Sequence, residues 1–128
     1  PVWWQYRHLS DQDWDHLSYI ADFTRDIDFA NVAFAPLDIE NEQSDIFVLA
    51  ATDQGFGWLR RINQADTTQT IFNVPGLKKG KYWLQWFDTW SGKYMQKVKI
   101  KVKKGVLEIA APPLVGQQKD IAFKVKRK

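Results

Sequence analysis

Two hydrophobic periods divide the chain. After Ser10, apolar residues recur at helical spacing: Trp14, Leu17, Ile20 and Ala21, then Phe23, Thr24 and Ile27. Ser10 can cap such a helix, and Asp11 and Asp13 place negative charge in its first turn, where the helix dipole favours it. The spacing predicts a helix over about residues 11–26 with an acidic outer face. From Ile46 onward the period is two. Strands are predicted over residues 46–51, 56–62, 68–74, 81–89, 94–103, 106–110 and 121–126. Turn signals separate them: Asp53-Gln54-Gly55, Pro75-Gly76, Trp90-Ser91-Gly92-Lys93, Lys104-Gly105 and Pro112-Pro113. Residues 1–9 read as a strand or strand end. Residues 31–44, with Pro36 and a polar run from Glu40, read as a linker.

The clearest unit is the hairpin over 81–103. Its second strand alternates Val98, Ile100 and Val102 with Lys97, Lys99, Lys101 and Lys103. Setting Leu84 opposite Val98 puts Tyr82, Leu84 and Trp86 on the core face with Ile100, Val98 and Gln96. Trp83, Gln85 and Phe87 then share the other face with Lys99, Lys97 and Met95. A one-residue slip would exchange the faces. Gly92 suits the positive φ that the turn needs.

Composition narrows the classes. The chain has 128 residues, 45% hydrophobic and 26% charged, which argues for a globular domain and against disorder. No apolar run approaches a membrane span, and residues 1–10 carry no secretion-signal pattern. The sequence starts with Pro1 and its one Met is Met95, so a processed chain or a piece of a longer polypeptide is expected. Cysteine is absent, which excludes disulfides and thiolate metal sites. Seven Trp among 15% aromatics imply a very aromatic core or an aromatic surface that meets a partner.

Charge is unevenly spread. Residues 1–66 hold twelve acids and four bases, net −8; residues 67–128 hold fourteen bases and three acids, net +11. Most of these lysines alternate outward on strands, which reads as a solvated sheet surface. A nucleic-acid partner is therefore not expected.

Candidate chemistry is sparse. Asp11-Gln12-Asp13-Trp14-Asp15 opens like a calcium loop, but His16 stands where the loop needs Gly, and Asp22 where it needs Glu. His8 and His16 lack a third clear zinc ligand. There is no phosphate-binding loop, dinucleotide fingerprint or serine nucleophile elbow. Glu occurs only at positions 40, 42 and 108, so a carboxylate pair for glycoside hydrolysis is not evident. No metal, no cofactor and no self-contained active site are expected. The aromatic residues remain: Trp83 and Phe87 beside lysines, and Trp90 at the hairpin tip. They suit either burial against another part of the protein or stacking on the apolar face of a sugar ring.

Several segments together carry a resemblance. Residues 74–82 (VPGLKKGKY) lead into Trp86-Phe87-Asp88-Thr89-Trp90-Ser91-Gly92-Lys93, then Gly105-Val106-Leu107-Glu108-Ile109, Pro112-Pro113 and Asp120-Ile121-Ala122. Over about residues 45–126 this order resembles the C-terminal β-sandwich domains that follow TIM-barrel catalytic domains in bacterial glycoside hydrolases. Val2-Trp3-Trp4-Gln5-Tyr6 and the helix ending in Phe23-Thr24-Arg25-Asp26-Ile27-Asp28-Phe29 resemble the last strand and last helix of such a barrel. The resemblance implies that Trp3 or Trp4 floors a substrate subsite in the intact enzyme. It also implies that the catalytic acids lie outside this chain.

The expected fold is mainly β, an antiparallel, immunoglobulin-like sandwich with one N-terminal helix. The expected organisation is a strand–helix–linker segment over 1–44, which the resemblance implies is the end of a catalytic barrel, and a sandwich domain over 45–128. The expected function is a non-catalytic module that packs on and stabilises the barrel of the same polypeptide. That packing would bury Trp83 and Phe87, or the helix face of Trp14, Leu17 and Ile20. Two alternatives stand beside it: a carbohydrate-binding module that meets polysaccharide through exposed tryptophans, and an immunoglobulin-like adhesion module.

Overall fold

The computed structural model describes residues 8–63, 68–114 and 118–128, and at Gln96 the backbone alone. Helix α1 (Asp11–Thr24) begins at a reciprocal cap. The Ser10 hydroxyl accepts the Asp13 N–H at 3.2 Å, and the Asp13 carboxylate accepts the Ser10 N–H at 2.8 Å. The Ser10 hydroxyl also donates to that carboxylate at 2.7 Å, and this bond, with the one from the Ser10 N–H, holds Asp13 below the usual carboxylate range.

The strands are β1 (Ala35–Ile39), β2 (Ser44–Ala50), β3 (Gln54–Arg61), β4 (Ile71–Pro75), β5 (Gly80–Asp88), β6 (Lys93–Val102), β7 (Val106–Ala110) and β8 (Asp120–Arg127). The described residues are thus mainly β, antiparallel, with one helix. They build a six-stranded sheet ordered β1-β2-β3-β8-β5-β6 and a two-stranded sheet β4-β7. Residues 35–39, expected within a linker, instead form an edge strand on β2, with Leu37 opposite Val48 and Ile39 opposite Ile46. Pro36 is tolerated there because an edge strand leaves one row of backbone donors unused.

The main core lies between the two sheets. Ile46, Val48, Leu59, Tyr82, Leu84, Trp86 and Phe123 of the large sheet meet Phe72, Val74, Leu107 and Ile109 of the small one. Phe123 is fully buried, with Phe72 and Trp86 at centroid distances of 5.5 and 5.4 Å. Its ring lies across Gly57, where an added Cβ would stand 2.7 Å from a ring carbon. Glycine there leaves room for the ring. At the margin of this core, the buried hydroxyls of Ser44 and Thr70 bond each other at 2.9 Å, so neither is buried unpaired.

The hairpin register matches expectation, with Leu84 opposite Val98. Its burial is less regular than the alternation suggests. Val102 is fully buried, whereas Val98 is 45% exposed. Strand β6 is an edge, and its burial falls away from the turn that folds β7 back over its end. A bulge between Gln85 and Phe87 then brings Phe87 opposite Tyr94 rather than Met95.

The outer face of the large sheet positions everything functional. One row across the strands is Phe47, Trp58, Ala122, Phe87 and Tyr94. The next is Leu49, Phe56, Lys124, Gln85 and Lys97, and a third is Gln54, Lys126, Trp83 and Lys99. One end of this face is aromatic and the other is lysine-rich. Helix α1 covers the aromatic end through Phe23, whose ring lies 5.3 Å from Phe87 and 6.4 Å from Phe56. Lys124 ties down the segment after the helix: it pairs with Asp26 and donates to the Tyr94 hydroxyl at 2.7 Å.

Phe123 belongs to the core that both sheets share, while Phe23 holds only the helix. Phe123→Ala should therefore cost about 3–5 kcal/mol of global stability, read as a lower urea midpoint. Phe23→Ala should speed amide exchange in α1 while most of the sheet's protection remains. Equal loss of protection in helix and sheet for Phe23→Ala would show that the two unfold as one unit.

Candidate functional site

A cavity of about 500 Å³ opens between α1 and the aromatic end of the sheet. Tyr19, Ile20 and Phe23 of the helix form one wall, and Trp58, Phe87 and Ala122 of the sheet form the other. His16, Thr89, Trp90 and Asp120 supply its polar groups. Trp90 is 39% exposed. Its indole N–H donates to the Asp120 carboxylate at 3.2 Å, and the Thr89 hydroxyl donates to the same oxygen. The His16 ring stands edge-on to Trp90 at 5.9 Å.

The hairpin tip that carries Trp90 is held by Asp88. Its carboxylate accepts the backbone N–H groups of Trp90 (2.9 Å) and Ser91 (3.3 Å) and the Ser91 hydroxyl (2.8 Å). Partial burial works against the charged form, but these donors outweigh it and hold Asp88 below the usual carboxylate value. Gly92 has φ +67°, as its place in the turn predicts, and a Cβ there would stand 2.3 Å from the Tyr19 ring. The tip is thus fitted against α1.

The structure brings two of the expected residues to this cavity. Phe87 is buried at its floor, covered by Phe23 and Tyr94. Trp90 stands at its polar side. Trp83 lies elsewhere, half-buried at the lysine end of the same sheet face, with the Lys99 and Lys128 ammonium groups 5.1 and 5.9 Å from its ring centroid. Trp3 and Trp4 lie outside the described residues. Sequence reasoning missed Trp58 and Asp120. Trp58 could have been found, because it shares a period-two face with Phe56 in β3. Nothing local marks Asp120, which meets Trp90 across 30 positions of sequence.

Asp120 is the one carboxylate among the cavity's lining residues, whereas acid–base cleavage of a glycosidic bond uses two. The described residues hold no group of three His, Asp or Glu side chains placed to bind a metal.

Apolar surface continues beyond the cavity. Trp14, Leu17 and Ile20 are 47, 48 and 61% exposed along one side of α1. On the far side of the cavity, Phe47, itself 57% exposed, stacks on Trp58 at 5.5 Å with 21° between the rings. A groove of about 350 Å³ runs there past Phe47, Trp58, Phe56 and Pro36.

No protein-family model matches the sequence, and no curated protein matches it. Solved structures do resemble the fold. One, described as a glycoside hydrolase, aligns over 96% of this chain and 27% of its own length, with TM-score 0.66 and 14% identity. Another, a family 5 glycoside hydrolase from Bacteroides vulgatus, aligns over 92% of this chain and 25% of its own length, with TM-score 0.64 and 10% identity. At such identities the likeness is one of fold, and the chain spans about a quarter of each neighbour.

Asp88 gives a pH prediction. Its folded pKa lies below the ordinary 3.8, so the ionised form stabilises the fold. That contribution is complete above the ordinary value and is lost as pH falls through the lower, folded value. The Trp90 backbone amide resonance, whose N–H the Asp88 carboxylate accepts, should therefore move in acid below the range of ordinary carboxylates. Asp88→Ala should remove that movement and cost about 1 kcal/mol; an unchanged acid transition in the variant would assign it to another group.

Proposed function

We propose that this chain is a non-catalytic module of a glycoside hydrolase and packs on the catalytic barrel domain of the same polypeptide. One observation carries the reading: a continuous apolar band that the described residues leave uncovered. Helix α1 has two apolar stripes. His16, Tyr19 and Phe23 face the sheet, and Trp14, Leu17 and Ile20 lie about a third of a turn away, since each residue advances ~100°. A helix covered on one side alone needs only the first stripe. Ile20 also lines the cavity, and Trp58 links the cavity to exposed Phe47, so the band crosses from helix to sheet. Exposed apolar surface of this extent marks an interaction site. The fold likeness to part of larger glycoside hydrolase chains, and the segment order that resembles their C-terminal sandwiches, support the choice of partner. On this reading Trp3 or Trp4 belongs to the substrate side of the barrel, and the two-sheet unit from β1 (Ala35–Ile39) onward is its accessory domain.

A second reading has its own support: the chain binds glycan directly. Trp83 and Trp90 both keep part of the indole in solvent, as sugar stacking requires, and Trp90 is braced by Asp120.

The first reading is tested with Leu17→Lys/Ile20→Lys. In the 128-residue chain the double variant should change stability by no more than about 0.5 kcal/mol per site, since both positions are exposed. In the polypeptide that carries the catalytic domain it should lower the melting temperature and weaken hydrolysis. An unaltered melting temperature there would contradict the packing, and hydrolysis of a polysaccharide by the 128-residue chain alone would contradict the non-catalytic role.

A further inference from the structure

The lysine end of the outer face is a grid. On β6 stand Lys97, Lys99 and Lys101; on β5 stand Gln85, Trp83 and Lys81; on β8 stand Lys124 and Lys126, with Lys128 just past its end. Lys124 is engaged with Asp26 and Tyr94. The other six lysines are exposed, and none has a described carboxylate within ion-pair distance.

Solubility alone does not account for this arrangement. Lysines on an edge strand discourage edge-to-edge pairing, and that covers β6. Strands β5 and β8 are internal to the sheet. Lys81 nevertheless stands directly opposite Lys101 and beside Lys128. Like charges facing each other across strands destabilise a sheet, so the cluster opposes folding and gains a favourable role only when counter-charge arrives.

Trp83 sits in the middle of these charges. Two ammonium groups rest over its ring, a contact that is weak at an exposed site and easily displaced. Beside it, a groove of about 140 Å³ runs past Gln85, Lys97, Lys124 and Lys126, walled by Phe56; the Asp26 carboxylate, paired with Lys124, lines its other end. A flat ring for an apolar sugar face, an amide for hydroxyls and ammonium groups on its two flanks, Lys99 from one neighbouring strand and Lys126 and Lys128 from the other, match a pyranose that carries an acid group. Single-stranded nucleic acid is a poorer match, because its binders offer aromatic platforms to successive bases and this face offers one.

We propose that the Trp83 face binds anionic polysaccharide, a chain of uronic-acid or sulfated pyranoses, with Trp83 stacking on one ring and Lys97, Lys99, Lys126 and Lys128 meeting the acid groups. This rests on the second reading above, that the chain binds glycan, and is independent of packing on a barrel.

The test is affinity electrophoresis of the 128-residue chain against polygalacturonate, a neutral β-glucan and oligo-thymidylate, at low and raised ionic strength. Polygalacturonate should retard the chain, and raised salt should weaken the retardation. Lys99→Glu/Lys126→Glu should weaken it about tenfold, since each exposed charge contributes modestly and two are reversed. Trp83→Ala should weaken polygalacturonate binding while oligo-thymidylate binding stays the same. Both variants alter exposed or half-exposed positions, and circular dichroism checks their fold. Three outcomes overturn the proposal. Retardation by the neutral glucan alone keeps glycan binding but removes the acidic class. Retardation by both polyanions that ignores Trp83 reduces the face to non-specific cation exchange. No retardation by any glycan removes this proposal and the glycan-binding reading together.

Discussion

The wide sheet must be covered on two faces, and the rest of the structure follows from how unevenly this is done. On the inner face the two-stranded sheet closes over Phe123, Trp86 and Leu59. On the outer face the aromatic row from Phe47 to Tyr94 is too apolar to leave in water, yet among the described residues its cover is one helix of fourteen residues and the short segment after it, through Ile27. Phe23 is the one residue of α1 that becomes buried, and around it the cover is incomplete. The cavity beside Trp90, the bare Phe47–Trp58 stack and the second stripe of α1 are consequences of a sheet broader than its lid.

This incompleteness links fold to function. Burying apolar area is the main favourable term in association as in folding, which is the physical basis of the proposed packing on a barrel. The lysine end is the opposite case. It is charged where charge costs stability, and it lies a few strand positions from the apolar band on the same face. A partner on the aromatic end would leave the lysine end open, so a barrel and a glycan need not compete for the face.

Much of the fold was legible in the sequence, because its signals were local. The Ser10 cap and the 3.6-residue period set α1, and the Gly92 turn with the lysine alternation set the hairpin and its register. What the sequence did not reveal depends on tertiary contact. Strand β1 has Pro36 and only two inward apolar residues, so nothing distinguishes it from a linker until β2 is beside it. The exposure of Val98 reflects how far the small sheet reaches, which no local pattern encodes. The site was half legible. Trp83, Phe87 and Trp90 stood out by type, but the bulge after Gln85 and the packing of Phe23 separated them into a buried floor, a cavity-side ring and a lysine-framed ring. Asp120 became part of the site only through the neighbouring strands.

On the proposed reading the aromatic end of the outer face packs on the catalytic domain and the lysine end stays open. Hydrogen exchange tests it directly, by comparing the 128-residue chain with the polypeptide that carries the catalytic domain. The account predicts added protection in α1 and in β2–β3 around Phe47 and Trp58, with β6 and the end of β8 unchanged. Protection gained at the lysine end instead, or no added protection in α1, would contradict it.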